Sequence, residues 1–396
     1  MTPERPLRVL MVTGAYHPEI SSGGLQAQMV ARAAGNSVAF HVLTTATDPA
    51  LPRESRVDNV DVSRIVVDVN STRSKLQATD EMIRELVALL RSSDVVHVHG
   101  YSTKNLLVTP LSAILRVPVV LSLHTAGFDE PASIAARGRL ARWSFDMCRL
   151  YLCVSPLLTD ACRAAGVPDA KVRYAPNGVD LERFRPVDPA ERPAVRRSLG
   201  LDPAHPMILF VGFFSRDKQP HVLFDAWLRL QREPATQSAL VFVGATHSPY
   251  FEVDARLAGD MRDRARHEGI ADRLIFVDPT PHIDEYYRAA DVFALPSLRE
   301  GMPVALLEAM ASGVPAVASR LPGSTDVLID DGKSGALVPP GDVDAFAHAL
   351  GRVLTDPTHA ASLGSAARDR VAAEFTADRV AAKWIAAYRD VTTRAA

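Results

Sequence analysis

The chain has 396 residues, of which 47% are hydrophobic and 23% charged, and this composition excludes a disordered or fibrous protein. The length favours two domains of roughly 150 residues or more each. Lys and Arg total 44 against 46 Asp and Glu, a net charge of -2, so there is no overall positive field to attract nucleic acid or an anionic membrane.

The cysteines and the first residues of the chain indicate a cytoplasmic protein. Cys148, Cys153 and Cys162 have the spacing of neither a disulfide framework nor a zinc site. Residues 1–16 carry charges on both sides of a short apolar run, so we expect no export signal. No apolar stretch approaches the ~18 residues that span a bilayer, so we expect a soluble protein.

Short β-branched runs alternate with helical patterns in the first half of the chain, which is typical of a parallel sheet. The predicted strands are residues 8–13, 38–45, 61–67, 94–99, 117–123, 150–155 and 171–176. Helical spacing of apolar residues predicts covering helices at residues 25–33, 80–90 and 105–116. These patterns predict a Rossmann-like domain.

The same alternation restarts after a segment rich in proline and charge. Further strands are predicted at residues 207–214, 239–244, 274–278, 291–297, 314–319 and 335–340. The predicted fold class is therefore α/β, with two Rossmann-like doubly wound domains facing a central cleft.

The domain boundaries follow from this pattern. We assign residues 1–185 to the first domain, residues 186–206 to a linker and residues 207–375 to the second domain. The last segment, 376–396, has a single apolar stripe and is predicted to be a helix that crosses back onto the first domain.

Loops at the carboxyl ends of the strands are the candidate binding sites of such sheets. In the first domain Gly23 and Gly24 lead into a helix whose amides can receive an anion, although a turn with an N-cap explains the same residues. In the second domain Arg216 and Lys218 follow the first strand and can bind a diphosphate. A solvated charged loop is the alternative there.

The most specific motif lies between residues 296 and 313. Glu300 ends a loop, Pro303 suits the first helical position, and Glu308 follows inside the helix. The helix N-terminus at Val304 and Ala305 offers amides to a phosphate, and two carboxylates can bind different hydroxyl groups of a sugar. A salt bridge within the domain is the alternative role for Glu308.

Three histidines lie in or directly after predicted buried strands of the first domain. His124 is predicted to point across the cleft, although a strand-end histidine is often part of the capped structure. His97 and His99 alternate to one side of a strand as a metal pair would, but no third ligand is spaced beside them. A metal site is therefore not expected.

The chain resembles the retaining family-4 glycosyltransferases (glycosyl transferases group 1) of GT-B fold. The features that carry the resemblance are, in order, Gly-Gly before the first helix, His124, the loop with Arg216 and Lys218, and E-x7-E from Glu300 to Glu308. The resemblance spans nearly the whole chain. It implies a metal-independent enzyme without a cofactor that moves a hexose-type sugar to a saccharide, lipid-linked or small-molecule acceptor. The expected donor is linked to UDP or GDP, and no nucleic acid partner is expected.

The same resemblance implies residue roles. Arg216 and Lys218 would bind the diphosphate, and Glu308 would bind the ribose hydroxyls. Glu300 would bind hydroxyls of the transferred sugar and His124 would contact that sugar near its 6-position, which makes these two the expected catalytic residues. The other residues assigned to the donor are Gly23, Gly24, Met302, Val304 and Ala305.

Some positions depart from the family pattern. Phe213 stands where the family often has arginine, and Gln219 stands where it usually has glycine. Two alternative functions remain open. The chain is a nucleotide-sugar epimerase or phosphorylase on the same scaffold, or it is a catalytically silent sugar-nucleotide-binding partner.

The segment 133–150 could lie on an anionic membrane surface. Its basic and apolar residues are Arg137, Arg139, Arg142, Arg149, Ile134, Leu140, Trp143 and Phe145. A buried helix with a solvated basic face explains the same residues. Peripheral contact with the inner face of the membrane is thus a hypothesis, and the sequence does not indicate an oligomeric state.

Overall fold

The computed structural model describes residues 5–19, 21–244, 246 and 253–393. The chain divides into two compact units. The first unit extends to Gly178 and takes up the chain again from Ala377, and the second runs from Val179 to Thr376. Each unit is built on a parallel sheet covered by helices, so the predicted α/β class with two parallel-sheet domains is confirmed.

The first unit alternates strands and helices almost from its start. Its strands are β1 (Leu7–Thr13), β2 (Val38–Ala46), β3 (Glu54–Val57), β4 (Val60–Val66), β5 (Val95–His99), β6 (Val119–Leu123), β7 (Leu150–Cys153) and β8 (Val172–Tyr174). Its helices are α1 (Ser22–Ala34), α2 (Thr72–Leu90), α3 (Asn105–Ile114), α4 (Pro131–Ala136), α5 (Arg139–Asp146) and α6 (Pro156–Ala164).

The strands of the first unit form one sheet in the order β3-β4-β2-β1-β5-β6-β7-β8. All neighbours are parallel except β3, which pairs antiparallel with β4. Strand β3 is not among the strands predicted from the sequence. The available signal was Asp58-Asn59, because both residues adopt positive φ angles, 49° and 65°, as the two central residues of a tight hairpin turn do.

The second unit repeats the alternation. Its strands are β9 (Met207–Val211), β10 (Ala239–Val243), β11 (Leu274–Val277), β12 (Val292–Leu295), β13 (Ala316–Ser319) and β14 (Ala336–Val338). Its helices are α7 (Arg192–Ser198), α8 (Pro220–Leu230), α9 (Arg256–His267), α10 (Ile283–Ala289), α11 (Val304–Ala311), α12 (Thr325–Leu328), α13 (Val343–Thr355) and α14 (Pro357–Glu374). The sheet order, β11-β10-β9-β12-β13-β14, is that of a Rossmann fold.

The last helix, α15 (Ala377–Thr393), belongs to the first unit and packs against α1. Its apolar stripe buries Val380, Trp384 and Tyr388 in the core beneath β1 and β5. Residues 394–396 of the predicted final segment lie outside the described residues.

The boundary between the units lies earlier than the sequence analysis placed it. Residues 179–185, assigned to the first domain, and residues 186–206, assigned to a linker, all belong to the second unit. The predicted linker contains α7, whose Arg196 is buried and bonds to the Ala289 and His205 carbonyl oxygens. The high proline and charge content of this segment therefore reflects a short, ion-paired surface helix.

Candidate functional site

The strand order of the second unit brings two loops together at the carboxyl edge of its sheet. β9 and β12 are neighbours, and the chain continues from β9 to one side of the sheet and from β12 to the other. Such a switch point leaves a crevice in which doubly wound folds bind ligands. The loop after β9 carries Lys218 and the loop after β12 carries Glu300, so the topology itself juxtaposes these residues.

Lys218 and Glu300 form an ion pair at this switch point. The Lys218 Nζ atom lies 2.6 Å from Glu300 Oε1, and the buried Ser297 hydroxyl donates to the same oxygen at 2.7 Å. The Glu300 side chain is 8% exposed, whereas that of Lys218 is 30% exposed. The carboxylate is thus held by two donors, while the ammonium stays accessible to an anion.

A second set of contacts joins the same two loops. The Leu298 amide donates to the Asp217 carbonyl oxygen at 2.7 Å, and Arg299 forms an ion pair with the Asp217 carboxylate. Spacing along the chain does not indicate these residues, because their pairing depends on the sheet order. They fix the distance between the backbone segments that carry Lys218 and Glu300.

Arg216 has a different environment from Lys218. Its side chain is 78% exposed, and its Nη2 atom lies 3.5 Å from Asp254 Oδ2. Gln219, at the position where the family usually has glycine, adopts a left-handed conformation with φ of 47°. The turn that follows Lys218 therefore has the backbone geometry that favours glycine.

Helix α11 begins at this same edge. Pro303 is its N-cap and Val304 its first helical residue, one position later than predicted. The amides of Val304 and Ala305 belong to the first turn, where no acceptor within the helix is available to them. Met302 is buried immediately before the helix. The structure thus places these predicted donor residues between Glu300 and Glu308 at the start of α11.

Glu308 lies one turn further into α11 and is paired with a tyrosine. Tyr287 of α10 is fully buried, and its hydroxyl lies 2.9 Å from Glu308 Oε2. Burial raises the pKa of Glu308 to about 7, while the tyrosine hydroxyl and the nearby charge of Arg183 lower it and Asp284 raises it. The carboxyl group therefore titrates near neutral pH. Tyr287 is not among the site residues predicted from the sequence.

The first unit has a switch point of its own. β1 lies between β2 and β5, so the chain continues to opposite sides of the sheet there. His99 is the last residue of β5, and His124 follows the last residue of β6. A Cβ atom on Gly23, in the first turn of α1, would lie 3.1 Å from His99 Cβ and 3.7 Å from His124 Nε2. The structure thus brings Gly23, His99 and His124 together.

The two imidazoles at this edge contact each other. His99 Nδ1 lies 3.3 Å from His124 Nε2, and the rings stack with an interplanar angle of 17°. Burial lowers the pKa of His124, although Asp129 and Asn177 raise it, and burial lowers the pKa of His99 further below its ordinary value. Both rings are therefore neutral at pH 7 and act as hydrogen-bonding groups without charge.

A buried carboxylate that the sequence analysis missed holds the loop of His124. Asp129 Oδ2 accepts hydrogen bonds from the amides of His124 and Thr125, at 2.8 and 2.9 Å. Its other oxygen accepts from the Tyr101 amide at 2.8 Å. Asp129 therefore fixes the backbone after β6 to the backbone after β5, and this contact sets the position of the His124 ring.

Gly24 has a structural reason for being glycine. Its amide donates to the hydroxyl of the N-cap residue Ser21 at 3.0 Å, and a Cβ atom at this position would collide with the Ala15 carbonyl oxygen. This amide is therefore engaged within the unit, and the expectation that it faces a diphosphate finds no support in this geometry. Gly23 remains the glycine adjacent to the histidines.

His97 is a structural residue of the core. Its Nδ1 atom lies 2.7 Å from the Tyr388 hydroxyl of α15, and its Nε2 atom lies 2.6 Å from the Ser122 hydroxyl. Both ring nitrogens are thus occupied by protein groups. Among the residues that the structure describes, no group of three or more His, Cys, Asp or Glu side chains could hold a metal ion.

Comparisons with known proteins agree with this arrangement. Residues 27–183 match the family described as "Glycosyltransferase Family 4", and residues 191–370 match "Glycosyl transferases group 1". A D-inositol 3-phosphate glycosyltransferase of Kribbella flavida is 30% identical, with 98% of this chain and 97% of the relative covered. The chain belongs to this glycosyltransferase family. The family predicted from the sequence is thereby confirmed, and the protein is a sugar transferase.

Two further relatives of this glycosyltransferase extend the comparison. A GDP-mannose-dependent alpha-(1-6)-phosphatidylinositol monomannoside mannosyltransferase of Mycolicibacterium smegmatis is 35% identical over 51% of this chain and 52% of its own. The structure of the Anabaena protein HepE with UDP and glucose has a TM-score of 0.78 at 20% identity, covering 97% of this chain and all of that one. This structural similarity shows the GT-B fold.

The basic and apolar segment of the glycosyltransferase divides between core and surface. Ile134 and Phe145 are buried, whereas Leu140 is 69% and Trp143 49% exposed on α5. Ile114, at the end of the neighbouring α3, is also exposed. No helix within the described residues is long and apolar enough to cross a membrane.

Proposed function

We propose that this glycosyltransferase moves a hexose-type sugar from a nucleotide-sugar donor to its acceptor with retention of configuration and without a metal ion. The observation that supports this most is the Lys218–Glu300 ion pair at the switch point of the second unit. It combines an accessible cation with a held carboxylate at the edge where such sheets bind ligands. No second candidate function has a comparable observation behind it.

The positions of the side chains support the donor roles that the resemblance implies. Lys218, with Arg216 as a more exposed second cation, binds the diphosphate, and the first-turn amides of α11 add partial positive charge. Glu308 accepts hydrogen bonds from the ribose hydroxyls. Glu300 accepts them from the transferred sugar, which His124 also contacts.

The chemistry requires stabilisation of negative charge on the leaving group. As the bond between the anomeric carbon and the diphosphate oxygen breaks, the diphosphate gains negative charge and the sugar becomes oxocarbenium-like. The Lys218 ammonium and the α11 amides stabilise that charge. The acceptor oxygen bonds to the anomeric carbon on the face that the diphosphate leaves, and its proton passes to the departing phosphate oxygen.

The acceptor is proposed from the relatives. One relative carries the name of an inositol 3-phosphate glycosyltransferase and another that of a phosphatidylinositol mannoside mannosyltransferase. A phosphorylated cyclitol, free or attached to a lipid, is therefore the first acceptor to test. We place the enzyme in the cytoplasm.

Peripheral contact with an anionic membrane belongs to the same proposal. Leu140, Trp143 and Ile114 are exposed apolar side chains on two packed helices, and Arg116 and Arg139 are exposed beside them in sequence. Such a mixture suits the interface of an anionic bilayer. Flotation with vesicles of anionic phospholipid tests this contact, and absence of the protein from the vesicle fraction would refute it.

The test of the donor site is a thermal-shift screen of UDP, GDP, ADP and their sugar conjugates in a metal-free buffer. A bound nucleotide at 100 times its Kd stabilises the protein by about 2.7 kcal/mol. We expect one nucleotide class to shift the wild type, and we expect the shift to vanish in Lys218→Ala and to shrink in Arg216→Ala.

The control for this screen is Lys333→Ala, because Lys333 is an exposed lysine of the same unit that is paired with Asp330. It should respond like the wild type. No shift with any nucleotide, or an equal shift in Lys218→Ala, would overturn the donor assignment. Transfer is tested by release of nucleotide diphosphate that requires the acceptor. Retention is tested by formation of an α-linked product from an α-linked donor. Independence of metal is tested by activity in excess chelator.

A further inference from the structure

The tyrosine that contacts Glu308 occupies a rigid position in the second unit. Its aromatic ring is fully buried on α10 and packs edge-on against Phe184, with ring centroids 5.8 Å apart. It also packs at a tilt against Phe293, with ring centroids 5.9 Å apart. Its hydroxyl reaches α11 and lies 2.9 Å from Glu308 Oε2 and 3.0 Å from the Ala305 carbonyl oxygen. The position of this hydroxyl is therefore set by the core.

The Tyr287 hydroxyl has a single proton for these two neighbours. When Glu308 is ionised, the proton is donated to Oε2, because a carboxylate is the stronger acceptor. When Glu308 is protonated, its own proton is donated to the tyrosine oxygen, and the hydroxyl turns to the Ala305 carbonyl oxygen. Burial raises the pKa of Tyr287 well above its ordinary value, so the hydroxyl keeps its proton in both states.

The groups around Glu308 decide which state prevails. Burial raises the pKa of Glu308 to about 7, and Asp284 raises it as well. The hydrogen bond from Tyr287 and the charge of Arg183 lower it. Arg183 is itself paired with Asp284, its Nε atom 3.5 Å from Asp284 Oδ1. Arg183 and Asp284 act in opposite directions on the pKa of Glu308. The hydrogen bond from the neutral Tyr287 hydroxyl therefore favours the ionised form of Glu308.

We propose that Tyr287 is a positioning residue for the donor: its hydroxyl holds the Glu308 carboxylate in one orientation, so that the carboxylate accepts hydrogen bonds from the ribose hydroxyls. With Oε2 engaged by the tyrosine, Oε1 is the oxygen assigned to the ribose. This inference rests on the proposed function, because that function supplies the ribose ligand of Glu308.

The test is Tyr287→Phe, which removes one oxygen and keeps the ring that Phe184 and Phe293 surround. A hydrogen bond to a charged group contributes about 1.5–3 kcal/mol, so we expect nucleotide Kd and donor KM at pH 7 to rise by roughly tenfold. We expect kcat at saturating donor to stay within about threefold of the wild type.

The pH profile separates positioning from a structural effect. Binding to the carboxylate strengthens as pH rises, so wild-type nucleotide affinity should increase through about pH 7 and then level off. In Tyr287→Phe the midpoint should move to higher pH, because the hydrogen bond that favours the charged form is gone. A merely destabilised protein would keep the wild-type midpoint.

The matched control is Tyr286→Phe, since Tyr286 is the adjacent, buried tyrosine of the same helix. It should keep wild-type affinity and midpoint. Wild-type affinity and midpoint in Tyr287→Phe would overturn the inference. If Tyr287→Phe does not fold, a fluorinated tyrosine at position 287 replaces it as the test, because its hydroxyl is a stronger hydrogen-bond donor. This variant should move the midpoint of the pH profile to lower pH. An unmoved midpoint would also overturn the inference.

Glu308→Gln distinguishes this inference from the proposed function. If Glu308→Gln weakens nucleotide binding and removes the pH dependence while Tyr287→Phe changes neither, the inference alone is wrong. If Glu308→Gln binds the nucleotide like the wild type at every pH, then the ribose assignment of the proposed function is wrong, and the role of Tyr287 falls with it.

Discussion

The carboxyl edges of the two sheets carry different chemistry. At the switch point of the second unit the side chains are charged, with Lys218 paired to Glu300 and Glu308 titrating near neutral pH. At that of the first unit the imidazoles of His99 and His124 are buried and have lowered pKa values. The two switch points thus present an ion pair in the second unit and a pair of stacked, uncharged imidazoles in the first.

The difference between the units has a physical origin. In the second unit the two loops carry paired charges, since Asp217 pairs with Arg299 beside the Lys218–Glu300 pair. In the first unit His99 ends a fully buried strand and packs against Trp384, with ring centroids 5.2 Å apart, so a charge there would be desolvated. Substitutions in the two units should therefore fail in different ways.

The largest effect is expected for Glu300→Gln. The amide cannot balance the Lys218 ammonium and is a weaker acceptor for sugar hydroxyls, so we expect kcat to fall by about 10²–10³-fold. Release of nucleotide diphosphate in the presence of acceptor measures this loss. Glu233→Gln, at an exposed carboxylate of the same unit, is the control. A kcat within threefold of the wild type would remove Glu300 from the reaction.

His124→Ala should separate the first unit from the second. Under the proposed function the neutral imidazole contributes to turnover but not to nucleotide affinity. We therefore expect kcat to fall by about 10–100-fold, with Kd for the free nucleotide unchanged within about twofold. Calorimetric titration and the release assay measure the two quantities. The exposed His348 offers the control His348→Ala. A loss of nucleotide affinity together with the loss of kcat would contradict the proposal that nucleotide binding depends on the second unit and not on His124.

Most of the fold could be predicted, because buried parallel strands leave apolar β-branched runs in the sequence. The E-x7-E motif could also be recognised in the sequence, because the loop with Glu300 and the helix with Glu308 follow each other directly along the chain. Asp129 and Tyr287 could not be found in this way. Asp129 reads as an ordinary loop carboxylate and Tyr287 as a core aromatic, and only the sheet order brings Asp129 to the His124 amide and Tyr287 to Glu308.

Stability should depend on pH in opposite senses in the two units. Burial lowers the pKa of His97, His99 and His124, so their stabilisation is complete above the unfolded value of 6.5 and is lost as pH falls below it. Each pH unit below 6.5 removes up to about 1.4 kcal/mol for each histidine. Glu308 acts the other way: its raised pKa favours folding below its ordinary value of 4.5, and this gain is lost as pH rises to about 7.

Calorimetric unfolding between about pH 4 and pH 8 measures these dependences. His99→Phe removes one histidine and should flatten the loss of stability below pH 6.5, whereas Glu308→Gln should flatten the change between pH 4.5 and 7. Unchanged slopes in both variants would mean that these groups titrate as exposed ones do.

The smallest expected effect concerns the turn after Lys218. Gln219 adopts φ of 47°, a conformation that costs a residue with a side chain about 1–2 kcal/mol and that glycine adopts freely. Glycine also gains more entropy in the unfolded chain, so Gln219→Gly should raise the free energy of unfolding by at most about 1 kcal/mol. Gln219→Ala removes the same side-chain contacts and keeps the strain. Urea unfolding of both variants isolates the backbone effect, and a glycine variant no more stable than the alanine variant would show that this turn relaxes without strain.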